Sequence, residues 1–152
     1  MPSKKVKMPC PLENVEQEWV FQWAAMQTCK HPELEWMYAV PNGGYRNTAE
    51  AAHMKRQGVK AGVPDIFLPA MRGGFGGLYI ELKRAEKSQS SVSDNQREWL
   101  SHLERAGYKT AVCYGADDAI QTIQAYLALN TLSYADRGAA KEAEAGFLMP
   151  AG

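Results

Sequence analysis

Two carboxylates and a lysine are spaced along this chain as phosphodiester hydrolysis would require. The run Leu78-Tyr79-Ile80-Glu81-Leu82-Lys83 is short and rich in β-forming residues, and it follows Gly73, Gly74, Gly76 and Gly77; this predicts a strand. Alternate side chains of a strand share a face, so Glu81 and Lys83 are neighbours, about 7 Å apart at Cα. Asp65-Ile66-Phe67-Leu68 reads as a second strand, opened by Pro64 at a position where a strand tolerates proline. A glycine-rich loop that doubles the chain back lays the two strands side by side and brings Asp65 to Glu81. Two carboxylates and a carbonyl oxygen suit a hard cation such as Mg²⁺ or Mn²⁺. Such a cation polarises a phosphoryl oxygen and can lower the pKa of a bound water. Lys83, a compact cation beside it, can orient or deprotonate the attacking water. The plainer arrangement is a Pro64-Asp65 turn with Glu81 and Lys83 as an exposed ion pair, which would be worth little.

A wider set of blocks separates the two. Pro64-Asp65 followed by Glu81-Leu82-Lys83 resembles the PD-(D/E)XK nuclease signature. Pro41-Asn42-Gly43-Gly44, the run Gly58 to Asp65, Gly77 to Lys83, and Gln96 together resemble the VRR nuclease domain, the virus-type replication-repair branch, over about Glu13 to Leu127. The resemblance implies an α/β restriction-endonuclease-like core with a mixed central sheet flanked by helices. It also implies a Mg²⁺- or Mn²⁺-dependent deoxyribonuclease in which Asp65, Glu81 and the Leu82 carbonyl hold metal and Lys83 serves the water. Related nucleases carry an acid on the first helix that completes the site; Glu16 is assigned that place, with Glu13 in reserve. A glutamine at the position of Gln96 borders the metal site. The resemblance further implies phage or bacterial replication, repair or recombination work, structure-specific cutting of branched or Holliday-junction DNA, and a homodimer.

The whole chain is compatible with this. Its 152 residues suit one domain with a sizeable core. Lys plus Arg equals Asp plus Glu at 17 each, so DNA contact has to rest on local patches. Cys10, Cys29 and Cys113 are scattered, as in a chain kept in a reducing cytosol. His31, His53 and His102 are equally dispersed and give a zinc or histidine centre little support. No apolar run approaches the roughly 18 residues of a membrane span, and no signal core follows Lys4, Lys5 and Lys7. A cytoplasmic protein with no membrane contact is expected, in a bacterium or a phage-infected host.

The elements that must position the site can be read in order. Residues 1–11, with Pro2, Pro9 and Pro11, form a flexible lead, 12–128 the nuclease domain, and 129–152 a disordered or loosely helical tail. Val15, Trp19, Trp23 and Met26 mark a helix from about Leu12 to Cys29, and Glu13 and Glu16 also suit its N-terminal dipole. Leu34 to Val40 reads as a strand. Asn47 and Glu50 have capping-box spacing ahead of a helix from about Thr48 to Gln57 that is stopped by Gly58. His53, Lys55, Arg56 and Lys60 make the densest basic cluster, a solvated face or a phosphate contact. Asn42, Arg56, Lys60 and Arg84 are the candidate DNA-binding residues. The Pro69 to Gly77 linker reads as mobile. Ser93 and Gln96 form a second capping box, opening a helix with Trp99, Leu100 and Leu103. A strand from Lys109 to Tyr114 and a helix from Gly115 to Leu127 complete the order. Two other readings stay open: a DNA-binding accessory protein with a vestigial site, and an exonuclease or restriction-type enzyme using the same residues.

Overall fold

Alternation in the central strand decides how the layers stack. In the computed structural model, which describes residues 9–41 and 47–131, β3 (Leu78–Lys83) sends Leu78, Ile80 and Leu82 into a core that excludes water. There they meet Ile66 and Leu68 of β2 (Ile66–Leu68) and the buried faces of two helices, α1 (Glu13–Gln27) and α4 (Ala116–Leu127). Each such aliphatic side chain contributes about 1.5–3 kcal/mol on burial. The opposite face of β3 carries Tyr79, Glu81 and Lys83.

The sheet has four strands in the order β1-β2-β3-β4, with β1 at Tyr38–Ala39 and β4 at Lys109–Tyr114. The first three are antiparallel neighbours, whereas β3 and β4 run parallel, connected through α3 (Asp94–Arg105). The sheet is therefore mixed, as expected. Its register pairs Ile66 with Ile80 and Phe67 with Tyr79. Gly77 permits this closure, since a Cβ there would lie 2.6 Å from the Phe67 ring and 2.9 Å from the Leu68 carbonyl oxygen.

Two expectations need correction. The segment Leu34 to Val40 is not one strand, because Pro32 opens a 3-10 helix over Pro32–Trp36 and only Tyr38–Ala39 pairs in the sheet. The linker after Pro69 is not loose. Ala70 accepts from the Tyr126 hydroxyl at 2.6 Å, Gly73 N–H donates to Asn130, and the Arg72 guanidinium pairs with Glu33 and donates to the Leu127 carbonyl. The buried side of α1 is Glu16, Val20 and Ala24, while Trp19 and Met26 of the apolar stripe stand 45% and 69% exposed. That helix is apolar on more than one side, so periodicity located the helix and not its buried face. The expectations for Asn42, for the first eight residues of the lead and for the tail from residue 132 lie outside the described residues.

Candidate active site

Because Ile66 is paired with Ile80 in an antiparallel register, the residue before Ile66 stands opposite the residue after Ile80. Asp65 and Glu81 are thus brought together. Asp65 is held from both sides: its carbonyl accepts from Val40 N–H at 2.7 Å, and its Oδ2 accepts from Leu82 N–H at 2.8 Å. The backbone of Leu82 also faces Asp65. Gly77 and Lys83 carbonyls accept from Lys109 N–H at the start of β4 and from Gly115 N–H just past its end, and a parallel ladder alternates, so the Leu82 carbonyl points away from β4 and toward the Asp65 side.

Glu81 is 1% exposed. Its Oε1 accepts from Lys83 Nζ at 3.0 Å and from Gln96 Nε2 at 2.5 Å, whereas its Oε2 has no partner. A buried charged oxygen left bare costs on the order of 1–3 kcal/mol or more. Burial and the charge of Asp65 push the Glu81 carboxyl up to about 7. Burial also raises Asp65, against the pull of Leu82 N–H and Lys83, with the Glu13 charge adding to the rise. Two acids that hold each other's protons are what a hard cation relieves. Among the described residues no three His, Cys, Asp or Glu side chains converge into a ready cage. The donor set is two carboxylates and a carbonyl, which fits Mg²⁺ or Mn²⁺, ions that keep several waters.

Gln96 caps α3 and also touches Glu81 and Lys83. Ser93 Oγ accepts from Gln96 N–H and Gln96 Oε1 accepts from Ser93 N–H, closing a capping box on α3. The same Oε1 accepts from Lys83 Nζ at 3.2 Å, while Nε2 donates to Glu81. Helix capping therefore fixes the side chain that orients Glu81 and Lys83.

Both acids of α1 named in the sequence reading are described in the structure. Glu16 is buried, and its Oε2 accepts from Ala116 N–H at 2.7 Å, so it is bound to the N-terminus of α4. The acid of α1 whose charge reaches both Asp65 and Glu81 is the exposed Glu13. The Arg84 guanidinium donates to the Cys10 and Pro11 carbonyls and ties the entry of α1 down. Arg56 and Lys60 are exposed on α2 (Thr48–Arg56) and its exit. One feature escaped the sequence. Asn95 and Trp99 of α3 both donate to the Ala61 carbonyl, at 2.9 and 3.1 Å, and hold the approach to Asp65. These are side-chain bonds to backbone across more than thirty residues, and no local pattern announces them.

Comparison with known proteins bears on the family and the fold. A family profile described as "VRR-NUC domain" matches residues 11–117. A solved structure titled "VRR_NUC domain protein" is 32% identical, with a TM-score of 0.70, and the match covers 83% of this chain and 96% of that one. No curated protein matches.

The raised Glu81 carboxyl gives a signed pH dependence. Between the ordinary carboxylate range and about 7 the folded chain holds a proton there that the unfolded chain has lost. Its contribution to stability is therefore present at low pH and lost as pH rises through about 7. A metal ion bound by Glu81 would have to displace that proton. By calorimetry, the rise in Tm from saturating Mg²⁺ over chelator should be larger at pH 8 than at pH 6. Glu81→Gln should abolish most of the difference. Equal increments at both pH values in the unaltered chain would contradict the assignment.

Proposed function

The chain belongs to the VRR-NUC domain family, a nuclease family, and from that premise we propose that it is a divalent-metal-dependent endonuclease hydrolysing DNA phosphodiester bonds, with branched DNA as substrate. The observation that carries this reading is the bare, buried Glu81 Oε2 beside Asp65. Asp65, Glu81 and the Leu82 carbonyl would hold Mg²⁺ or Mn²⁺, which when bound supplies Lewis-acid stabilisation of the phosphoryl oxygens and acidifies water. The chain's own residues do the positioning. Lys83 has three donors and two partners within the site, Glu81 and Gln96. Its remaining donor is available to orient the attacking water or meet a phosphate oxygen. Gln96 keeps the Lys83 ammonium and the Glu81 carboxylate in register, so neither rotates away when substrate arrives. Glu13, whose charge acts on both acids from the first turn of α1, is the first-helix acid in this reading, and Glu16 positions α1 by clamping the start of α4.

Cleavage of labelled linear, flapped and four-way junction DNA with Mg²⁺, Mn²⁺ or EDTA tests the proposal. Lys83→Ala should lower the rate about 10²- to 10³-fold. Glu13→Gln should slow cutting without lowering Tm, whereas Glu16→Gln should cost about 0.5–2 kcal/mol of stability. No cutting by folded protein on any substrate would favour a DNA-binding accessory role. Loss of cutting by Glu16→Gln at unchanged Tm would return the catalytic place to Glu16.

The homodimer belongs to the same reading. Leu12, Trp19 and Met26 are exposed at seven-residue spacing along α1 and its entry, a seam suited to a second copy of the same helix. Two copies related by a twofold axis would present two sites to a symmetric junction. Sedimentation velocity should show a dimer that Trp19→Glu converts to monomer; a monomer at all concentrations would remove this part of the proposal.

A further inference from the structure

Helix α2 buries no residue in the fold. A nine-residue helix is marginal on its own, and the Asn47 side chain, accepting from Glu50 N–H at 2.8 Å, caps only its start. Between α2 and α3 lies a groove of about 900 Å³. Met54, Val59 and Trp99 supply its apolar wall, and Lys55, Lys60 and Arg105 supply cations against the one acid that lines it, Glu98. In a chain whose formal net charge is zero, this is a local concentration of positive charge. The groove also adjoins a second one that reaches Asp65. Pro41 lines both it and this second groove of about 680 Å³, bounded by α1 and β1, whose wall includes Asp65. Its floor at Ala61 is the carbonyl held by Asn95 and Trp99, four residues before Asp65.

We propose that the α2/α3 groove takes a single-stranded DNA arm flanking the phosphodiester that is cut. This rests on the nuclease reading of Asp65 and Glu81 and deepens it. A single strand offers phosphates to Lys55, Lys60 and Arg105 and free bases to the Trp99 ring, and base stacking on an aromatic is tolerant of sequence. A duplex hides its base faces and offers Trp99 nothing to stack on, so it is not seated in the groove and gains little from these three cations. The arm covers the side of α2 that the fold leaves open, and its path ends at Asp65.

The test measures binding, so it needs no catalysis. Fluorescence anisotropy of the full chain in EDTA compares a blunt duplex with the same duplex bearing a single-stranded arm. The unaltered protein should prefer the armed substrate, and Lys55→Gln/Lys60→Gln/Arg105→Gln should remove that preference, with about a tenfold larger loss on the armed substrate than on the blunt one. The salt dependence of armed-substrate binding should flatten by about 2 in log–log slope, the value for three contacts to a single strand. All three side chains are exposed, and unchanged Tm confirms folding; Lys55→Arg/Lys60→Arg should keep the preference. Equal losses on both substrates, or a preference that survives the triple substitution, would overturn the proposal. A chain that binds the arm in this way yet cuts nothing would sink the nuclease reading alone, and one that cuts with no effect of the groove would sink only this inference.

Discussion

One buried carboxylate sets the terms for the rest of the molecule. Glu81 shares a single oxygen between the Lys83 ammonium and the Gln96 amide while its other oxygen meets nothing, and Asp65 stands opposite across the strand pair. Such a group is expensive in a folded chain, and its proton is held up to about neutral pH as a consequence. Core packing does not require it. A leucine there would pack more cheaply, so the site is held against its own cost by the layers around it.

Those layers act through register and capping. The antiparallel pairing of β2 with β3 fixes Asp65 beside Glu81, and a one-residue slip would send one of them to the opposite face. The capping box at the start of α3 fixes Gln96. The hydrophobic face of the sheet, closed by Val20, Ala24, Ile123 and Leu127, keeps the strands from moving relative to α1 and α4. Glu16 joins α1 to α4 through the Ala116 amide, and Arg72 pins the β2–β3 connection to the end of α4. Stability is thus spent at a distance from the site and returned there as fixed geometry.

Much of this could be read from residues alone, for local reasons. Period-two alternation in Leu78 to Lys83 located the central strand and both of its faces, and Ser93 with Gln96 announced a helix start by spacing. The pairing of Asp65 with Glu81 followed from a glycine-rich connection between two short strands. What could not be read was long-range or degenerate. Pro32 with an apolar stretch after it suits a strand as well as the 3-10 turn that forms, and only Tyr38 and Ala39 find a neighbour. α1 is apolar on several sides, so its sequence does not say that Glu16 turns inward while Trp19 turns out. The partner that Glu16 finds depends on where α4 begins, a hundred residues away.

The central claim is that the bare oxygen of Glu81 exists to hold a cation with Asp65 and the Leu82 carbonyl. Crystals grown with Mn²⁺ and measured for anomalous scattering test it most directly. The account predicts an anomalous peak among those three oxygens in the unaltered chain and its loss in Glu81→Gln. A peak at another place, or full occupancy after that substitution, would contradict it.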